Sequence, residues 1–159
     1  MFVRGKSGQR HKYIVRAERH ARNEAPSLYA VKFYLAQLRN AVDPYSYLTN
    51  AGRPLAVLST AMHVMLDVAR RDRGASFCWT GVARTDEQTG IADYAKTSAR
   101  FRIYQSMAEE ILGAEAFRHL MAPRINGYLL VSKASQEPTA YYLSLLRDTY
   151  PSLDEWALG

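Results

Sequence analysis

"PLAVLSTAMHVMLDVARRDRGASFCWTGV", residues 54 to 82, decides how this chain folds. Pro54 suits the first position of a helix, since its φ is already helical and its missing N–H is no loss there. From it, Leu55, Leu58, Met62, Met65 and Ala69 fall on one side, and Val57, Ala61, Val64 and Val68 widen that side. Ser59, His63, Asp67 and Arg70 keep to one narrow polar stripe. A helix apolar over most of its circumference packs against a sheet and a neighbour as well. Arg70, Arg71 and Arg73 complement the negative end of the helix dipole, and Gly74 suits the residue just past the end. "SFCWTGV", residues 76 to 82, then reads as a buried strand.

Toward the N-terminus, "KYIVRAERH" (12 to 20) alternates imperfectly and can be a strand. In "LYAVKFYLAQLRN", Tyr29, Val31, Phe33 and Leu35 share a face at period two, opposite Lys32 and Tyr34, which predicts a half-buried strand. "DPYSYLTNAG" turns at Asp43-Pro44, passes a short strand-like YSYL and reaches a loop at Thr49 to Gly52. The long helix between YSYL and SFCWTGV fits a parallel crossover.

Toward the C-terminus, "TSARFRIYQSMAEEILG" (97 to 113) predicts a second amphipathic helix with Phe101, Tyr104, Met107, Ala108, Ile111 and Leu112 as its buried stripe. "GAEAFRHLMAPRING" continues it past a break at Gly113 to a stop before Pro123. "YLLVSK" is a strand, and "TAYYLSLLR" is expected to pair with it as a hairpin because Tyr141, Leu143 and Leu145 alternate. A helix started at Pro138 is the other possibility. The sum is an α/β fold: a central mixed, mostly antiparallel sheet with one parallel crossover and two main packing helices. Residues 25 to 159 form a single domain, preceded by a basic segment, residues 1 to 24, that is either a strand or an arm.

Composition narrows the class. The chain has 159 residues, 48% hydrophobic and 23% charged, which is a globular profile rather than a disordered one. One cysteine, Cys78, excludes an internal disulfide and suits a reducing compartment. No apolar run approaches a membrane span and no leader-like h-region opens the chain, so a cytoplasmic address is expected. The net charge of +6 is uneven. Arg4, Lys6, Arg10, Lys12, Arg16, Arg19 and Arg22 face Glu18 and Glu24 in the first 24 residues, while the remainder holds fourteen basic against thirteen acidic residues. Such a segment favours phosphate-rich partners through counterion release, or is a solvated face that aids solubility.

Few residues are arranged for chemistry. A strand, a glycine-bearing loop and a helix N-terminus make an anion site, since unpaired N–H groups and the positive dipole end point the same way. YSYL, Asn50-Ala51-Gly52-Arg53 and the helix from Pro54 supply those parts, and Arg53 adds a planar cation. The same parts also make a plain strand-to-helix turn. Ser59, His63 and Asp67 run along a helix axis, whereas a triad converges on one atom from separate elements. Cys78 lies in a buried strand, where thiols are packing residues. Glu109 and Glu110 are adjacent on a helix and diverge. No acidic residue presents itself on the strands before the loop as a base.

With helix, strand and second helix in order, "TNAGRPLAVLSTAMHVMLDVARRDRGASFCWTGVA" and "TSARFRIYQSMAEEIL" together resemble the GNAT superfamily of N-acetyltransferases over residues 45 to 133. In that family a Q/R-x-x-G-x-G/A loop enters a long helix, and a helix beginning N-x-x-A-x-x-h-Y follows the next strand. Gly52 matches the loop, while Thr49 stands at its Q/R position and Pro54 at its last glycine. Tyr104 matches the tyrosine, with Ile103 before it; Thr97 and Arg100 replace the asparagine and alanine. The segment from Arg100 to Tyr104 is also similar to an "SRVKLY" stretch in uncharacterised bacteriophage-encoded proteins. The resemblance implies acetyl-CoA as cofactor, its pyrophosphate held by Asn50, Ala51, Gly52 and Arg53, and Tyr104 protonating the leaving thiolate during transfer to an amine. A buried core role for Tyr104 is the competing expectation. The competing function is a non-catalytic, phage-type basic protein that binds nucleic acid or a host protein through residues 1 to 24.

Overall fold

In a computed structural model of the chain, the described residues are 2–4, 10–23, 25–41, 54–80, 99–122 and 127–150. The elements are β1 (Phe2–Arg4), β2 (Arg10–His20), β3 (Leu28–Leu35), a 3-10 turn (Ala36–Leu38), α1 (Pro54–Arg71), β4 (Ser76–Thr80), α2 (Ala99–Ala116), β5 (Phe117–Ala122), β6 (Gly127–Ser132) and α3 (Thr139–Thr149). Strands β2 to β6 form one mixed sheet in the order β2-β3-β4-β6-β5, and the three-residue β1 adds a sixth strand beside β2. Every neighbouring pair is antiparallel except β3 with β4.

The sheet is covered on both faces, giving an α/β layering. On one face α1 and α2 bury Leu58, Met62, Met65, Tyr104, Ala108 and Leu112 against Val31, Phe77, Trp79, Phe117, Tyr128 and Leu130. On the other, Tyr142, Leu145 and Leu146 of α3 lie against Leu28, Ala30, Cys78, Ala122, Leu129 and Val131. A central strand buried on both sides needs an unbroken apolar run. β6 has one: Tyr128, Leu129, Leu130 and Val131 are all fully buried. β3 is likewise buried on both faces, where its alternation predicts only one; Leu28 and Ala30 on its second face meet α3. No helix among the described residues is long and apolar enough to cross a membrane.

Three sequence expectations need correction. The stretch 139–147 is helix α3, not a strand paired with β6. Its buried residues are Tyr142, Leu145 and Leu146, at helical spacing, with Pro138 at the N-cap position, while Tyr141 and Leu143 are only partly buried at its edge. The partner of β6 is instead β5, Phe117–Ala122, in a stretch expected to continue the second helix. The parallel partner of β4 is β3, so the crossover starts further back than expected; YSYL (45–48) lies outside the described residues. Of the two alternatives for the basic segment, strand or arm, residues 10–20 take the strand: β2 is paired with β3 from Tyr13↔Leu35 to His20↔Leu28.

Gly113 marks where α2 ends its regular course, with φ 67° and ψ 153°. That conformation is essentially closed to residues with a Cβ. Its carbonyl oxygen lies 3.1 Å from Nε2 of His119, and the other ring nitrogen, Nδ1, lies 2.8 Å from the Tyr128 hydroxyl. One tautomer satisfies both: Nε2–H donates to Gly113 and Nδ1 accepts from Tyr128. A Cβ at residue 113 would meet no atom within 4 Å, so any penalty there is one of backbone conformation alone. Gly113→Ala is therefore expected to lower unfolding free energy by about 1–3 kcal/mol in urea titration; a change below about 0.3 kcal/mol would show the φ constraint to be soft.

Candidate functional site

The parallel pair β3/β4 is bonded over three rungs: Leu28↔Ser76, Tyr29↔Phe77 and Ala30↔Cys78. Both strands continue beyond the last rung, but toward different partners. β3 stays paired with β2 as far as Leu35, and β4 stays paired with β6 as far as Thr80. The sheet thus divides toward the C-terminal ends of its parallel strands. Ligands of open α/β sheets bind in the crevice beyond those ends. Among the described residues, Val31–Leu35 and Trp79–Thr80 make no ladder with each other, an arrangement of strand edges that suits an extended, amide-bearing molecule.

Three elements bring side chains to this parting. Ala56 and Val57, in the first turns of α1, pack with Phe33, Leu35 and Tyr13, so the helix starts over the end of β3. Its first N–H groups have no intrahelical acceptors, and its positive dipole end faces that way. From α2, Tyr104 sets its ring edge against Phe33, 6.1 Å between centroids at 66°. Tyr104 is 9% exposed and belongs to the buried cluster beneath α1 and α2. The core role expected of it is real, and its place beside β3 beyond the last rung leaves the second role open to it. From β4, Trp79 follows the last rung directly and stacks on Tyr128 at 4.6 Å. Asn50, Ala51, Gly52 and Arg53 lie outside the described residues.

Other candidates are accounted for by packing. His63 Nδ1 lies 2.7 Å from the carbonyl of Ser59, and Asp67 accepts from Arg71 at 2.6 Å, so the polar stripe of α1 is bonded along its own axis. Burial pushes the Cys78 thiol up to about 12, and the nearby Lys32 only partly offsets this. At neutral pH it is a protonated packing residue on the α3 face. Among the cations of the N-terminal segment, Arg16 meets Glu18 at 3.4 Å and Arg19 donates to Ser27 at 2.6 Å. Arg22 reaches Asp148 and Ser144 of α3.

One cluster escapes a sequence reading. On the α3 side of the sheet, Lys32 Nζ lies 2.6 Å from Glu18 and 5.1 Å from the centre of the Tyr150 ring. The Tyr150 hydroxyl in turn lies 3.3 Å from Nε2 of His20. Burial alone would raise the Glu18 carboxyl, but the Lys32 ammonium and then Arg16 outweigh it and hold the group below the ordinary carboxylate range. Burial works against the Lys32 charge too, and its bonds to Glu18 and Tyr150 more than restore it. His20 is lowered, chiefly by burial. Glu18 is thus an acidic residue on a strand before the loop, which corrects the expectation that none lies there. Ion-paired and ionised, it is a weak base. The signal was present in the stripe Arg16, Glu18, His20 at period two.

Cys78 yields a direct check. Its thiol should resist iodoacetamide at pH 8 in the folded chain and react at a normal rate in urea, with labelling tracking unfolding. The sign of its linkage follows. A thiol raised from about 8.5 in the unfolded chain to about 12 favours the folded state below the lower value, and that contribution is lost as pH rises from the one to the other. Rapid labelling without denaturant would contradict its burial. Compared with protein-family models, with curated proteins and with solved structures, the chain finds no match in any of the three.

Proposed function

We propose that this chain is an acetyl-CoA-dependent N-acyltransferase on a GNAT-like fold, acting on an amine. The observation that carries the reading is the parting of β3 and β4 beyond Ala30↔Cys78, with Tyr104 packed at Phe33 on one of its sides. A parallel pair joined over α1, opened at its C-terminal ends and flanked by the helix that follows β4, supports the family resemblance carried by Gly52 and Tyr104.

The residues fit the cofactor's chemistry in three respects. The unladdered edges of β3 and β4 suit the amides of its extended arm. The start of α1, with Gly52 and Arg53 before it in sequence, suits its pyrophosphate. Tyr104 brings a phenol, a group that can donate a proton to a departing thiolate. When bound, acetyl-CoA would supply the acyl group, its carbon–sulfur bond giving way to a bond from the amine nitrogen. Tyr104 would give its phenol proton to the departing thiolate, and the amine would lose its proton to solvent. Glu18, ion-paired with Lys32 and held below the ordinary carboxylate range, is a poor acceptor for that proton.

Isothermal titration with acetyl-CoA is expected to give micromolar binding that Gly52→Asp abolishes by setting a carboxylate against the pyrophosphate. Tyr104→Phe should bind equally well and lower kcat severalfold or more, assayed as free CoA against a panel of primary amines. Because the ring is kept, unfolding free energy should move by less than about 1 kcal/mol. No heat with the unaltered chain would remove the cofactor, and unchanged kcat in Tyr104→Phe would remove the acid.

A further inference from the structure

The parting of β3 and β4 has a hydrogen-bond donor beside it that the fold does not use. Among the described residues, the buried side-chain polar atom left without a partner is Nε1 of Trp79. Trp79 is 7% exposed, which removes the indole from bulk solvent. An indole N–H can only donate, and leaving it buried and unpaired is destabilising. A phenylalanine would fill a purely packing role there without that penalty. Orphaned donors in a native core call for an explanation.

Position supplies one. Trp79 directly follows Cys78, the last residue of β4 bonded to β3, and it shares its buried cluster with Val31 and Tyr104. Its ring is held in place before any ligand arrives. It stacks on Tyr128 with the planes 10° apart, and the Tyr128 hydroxyl is tied to His119, which is tied to the Gly113 carbonyl. We infer that Trp79 is a ligand-binding residue whose indole N–H donates to a carbonyl oxygen of the molecule occupying the parting. The chemistry selects a neutral acceptor. The surrounding cluster is apolar, with Leu58, Met62, Phe77 and Leu130 among its members, and an ionised phosphate or carboxylate would be buried there without a countercharge. An amide or thioester carbonyl meets the requirement. The identity of that molecule as an acyl-CoA rests on the reading given under Proposed function.

The test is proton–nitrogen NMR of the full chain labelled at the indoles. The sequence holds two tryptophans, Trp79 and Trp156, and Trp156→Phe assigns the two signals. Titration with acetyl-CoA is expected to move the Trp79 indole proton downfield. Titration with CoA separates the sources, since the same shift with CoA assigns an amide of the arm and a shift seen with acetyl-CoA alone assigns the acyl carbonyl. Trp79→Phe keeps an aromatic ring against Tyr128 and, though the lost core volume costs some stability, should weaken acetyl-CoA about tenfold. Calorimetric binding with a still indole signal would overturn this inference and leave the acyltransferase reading standing. Absence of binding heat in the unaltered chain would overturn both. The NMR arm needs no variant at Trp79, so a Trp79→Phe chain that fails to fold leaves the test intact.

Discussion

Three rungs of parallel pairing join one half of the sheet to the other. Leu28↔Ser76, Tyr29↔Phe77 and Ala30↔Cys78 link β1-β2-β3 to β4-β6-β5, and parallel ladders are the weaker kind per residue. The seam holds because other contacts cross it. The Ser76 N–H donates to the Ser27 carbonyl at 3.0 Å, extending the junction by one bond. The Tyr29 and Phe77 rings lie 5.9 Å apart on the α1 side. On the opposite face α3 covers Leu28 and Ala30 together with Cys78. Arg22 fastens the β2–β3 turn to Asp148 near the end of α3. With the seam secured at one end, the strands are free to diverge at the other, and the candidate site exists because they do.

Magnitudes say which contacts carry the fold. Burying a leucine such as Leu129 or Leu130 contributes about 1.5–3 kcal/mol. A part-exposed ion pair such as Lys32–Glu18 contributes about 0–1 kcal/mol. Where the chain buries a stripe on one side, the stripe was legible: α1 and most of α2 follow from 3.6-residue spacing, whereas β3 was legible as a strand but not as one buried on both faces. Leu55, in the first turn of α1, is the exception at 57% exposed. Where an element's neighbours decide its form, local pattern misled. FRHLMA carries the polar residues Arg118 and His119 and looks like helix, yet it is held as β5 by its register with β6. TAYYLSLLR satisfies both periods at once, and the sheet face above Leu129 and Val131 selected the helical one.

The candidate site divides the same way. Tyr104 and the helix that bears it could be found from sequence, because a tyrosine on an apolar stripe is visible in the spacing. Trp79 could not, since its interest lies in an absent partner and in the point where two strands part, and neither is written in any short segment. Glu18 and Lys32 were in plain view as types, yet their pairing depends on β2 lying beside β3, a relation between segments fourteen residues apart. Residues 50 to 53, which the resemblance makes the phosphate-binding loop, remain a matter of sequence alone.

The strand order has a bearing on how the chain comes to be folded as it is synthesised. β6 lies between β4 and β5, both of which precede it in the sequence, and it is the strand buried most completely. Until residue 132 has left the ribosome, β4 has an open edge, and β5 has no strand to lie against. Phe77, Trp79 and Phe117 are then without the Tyr128 and Leu130 that complete their cluster. The nascent chain therefore carries Phe77 and Trp79 without their full cover for about a third of its synthesis, a state that invites chaperones and mispairing. The sheet then closes by inserting its centre last.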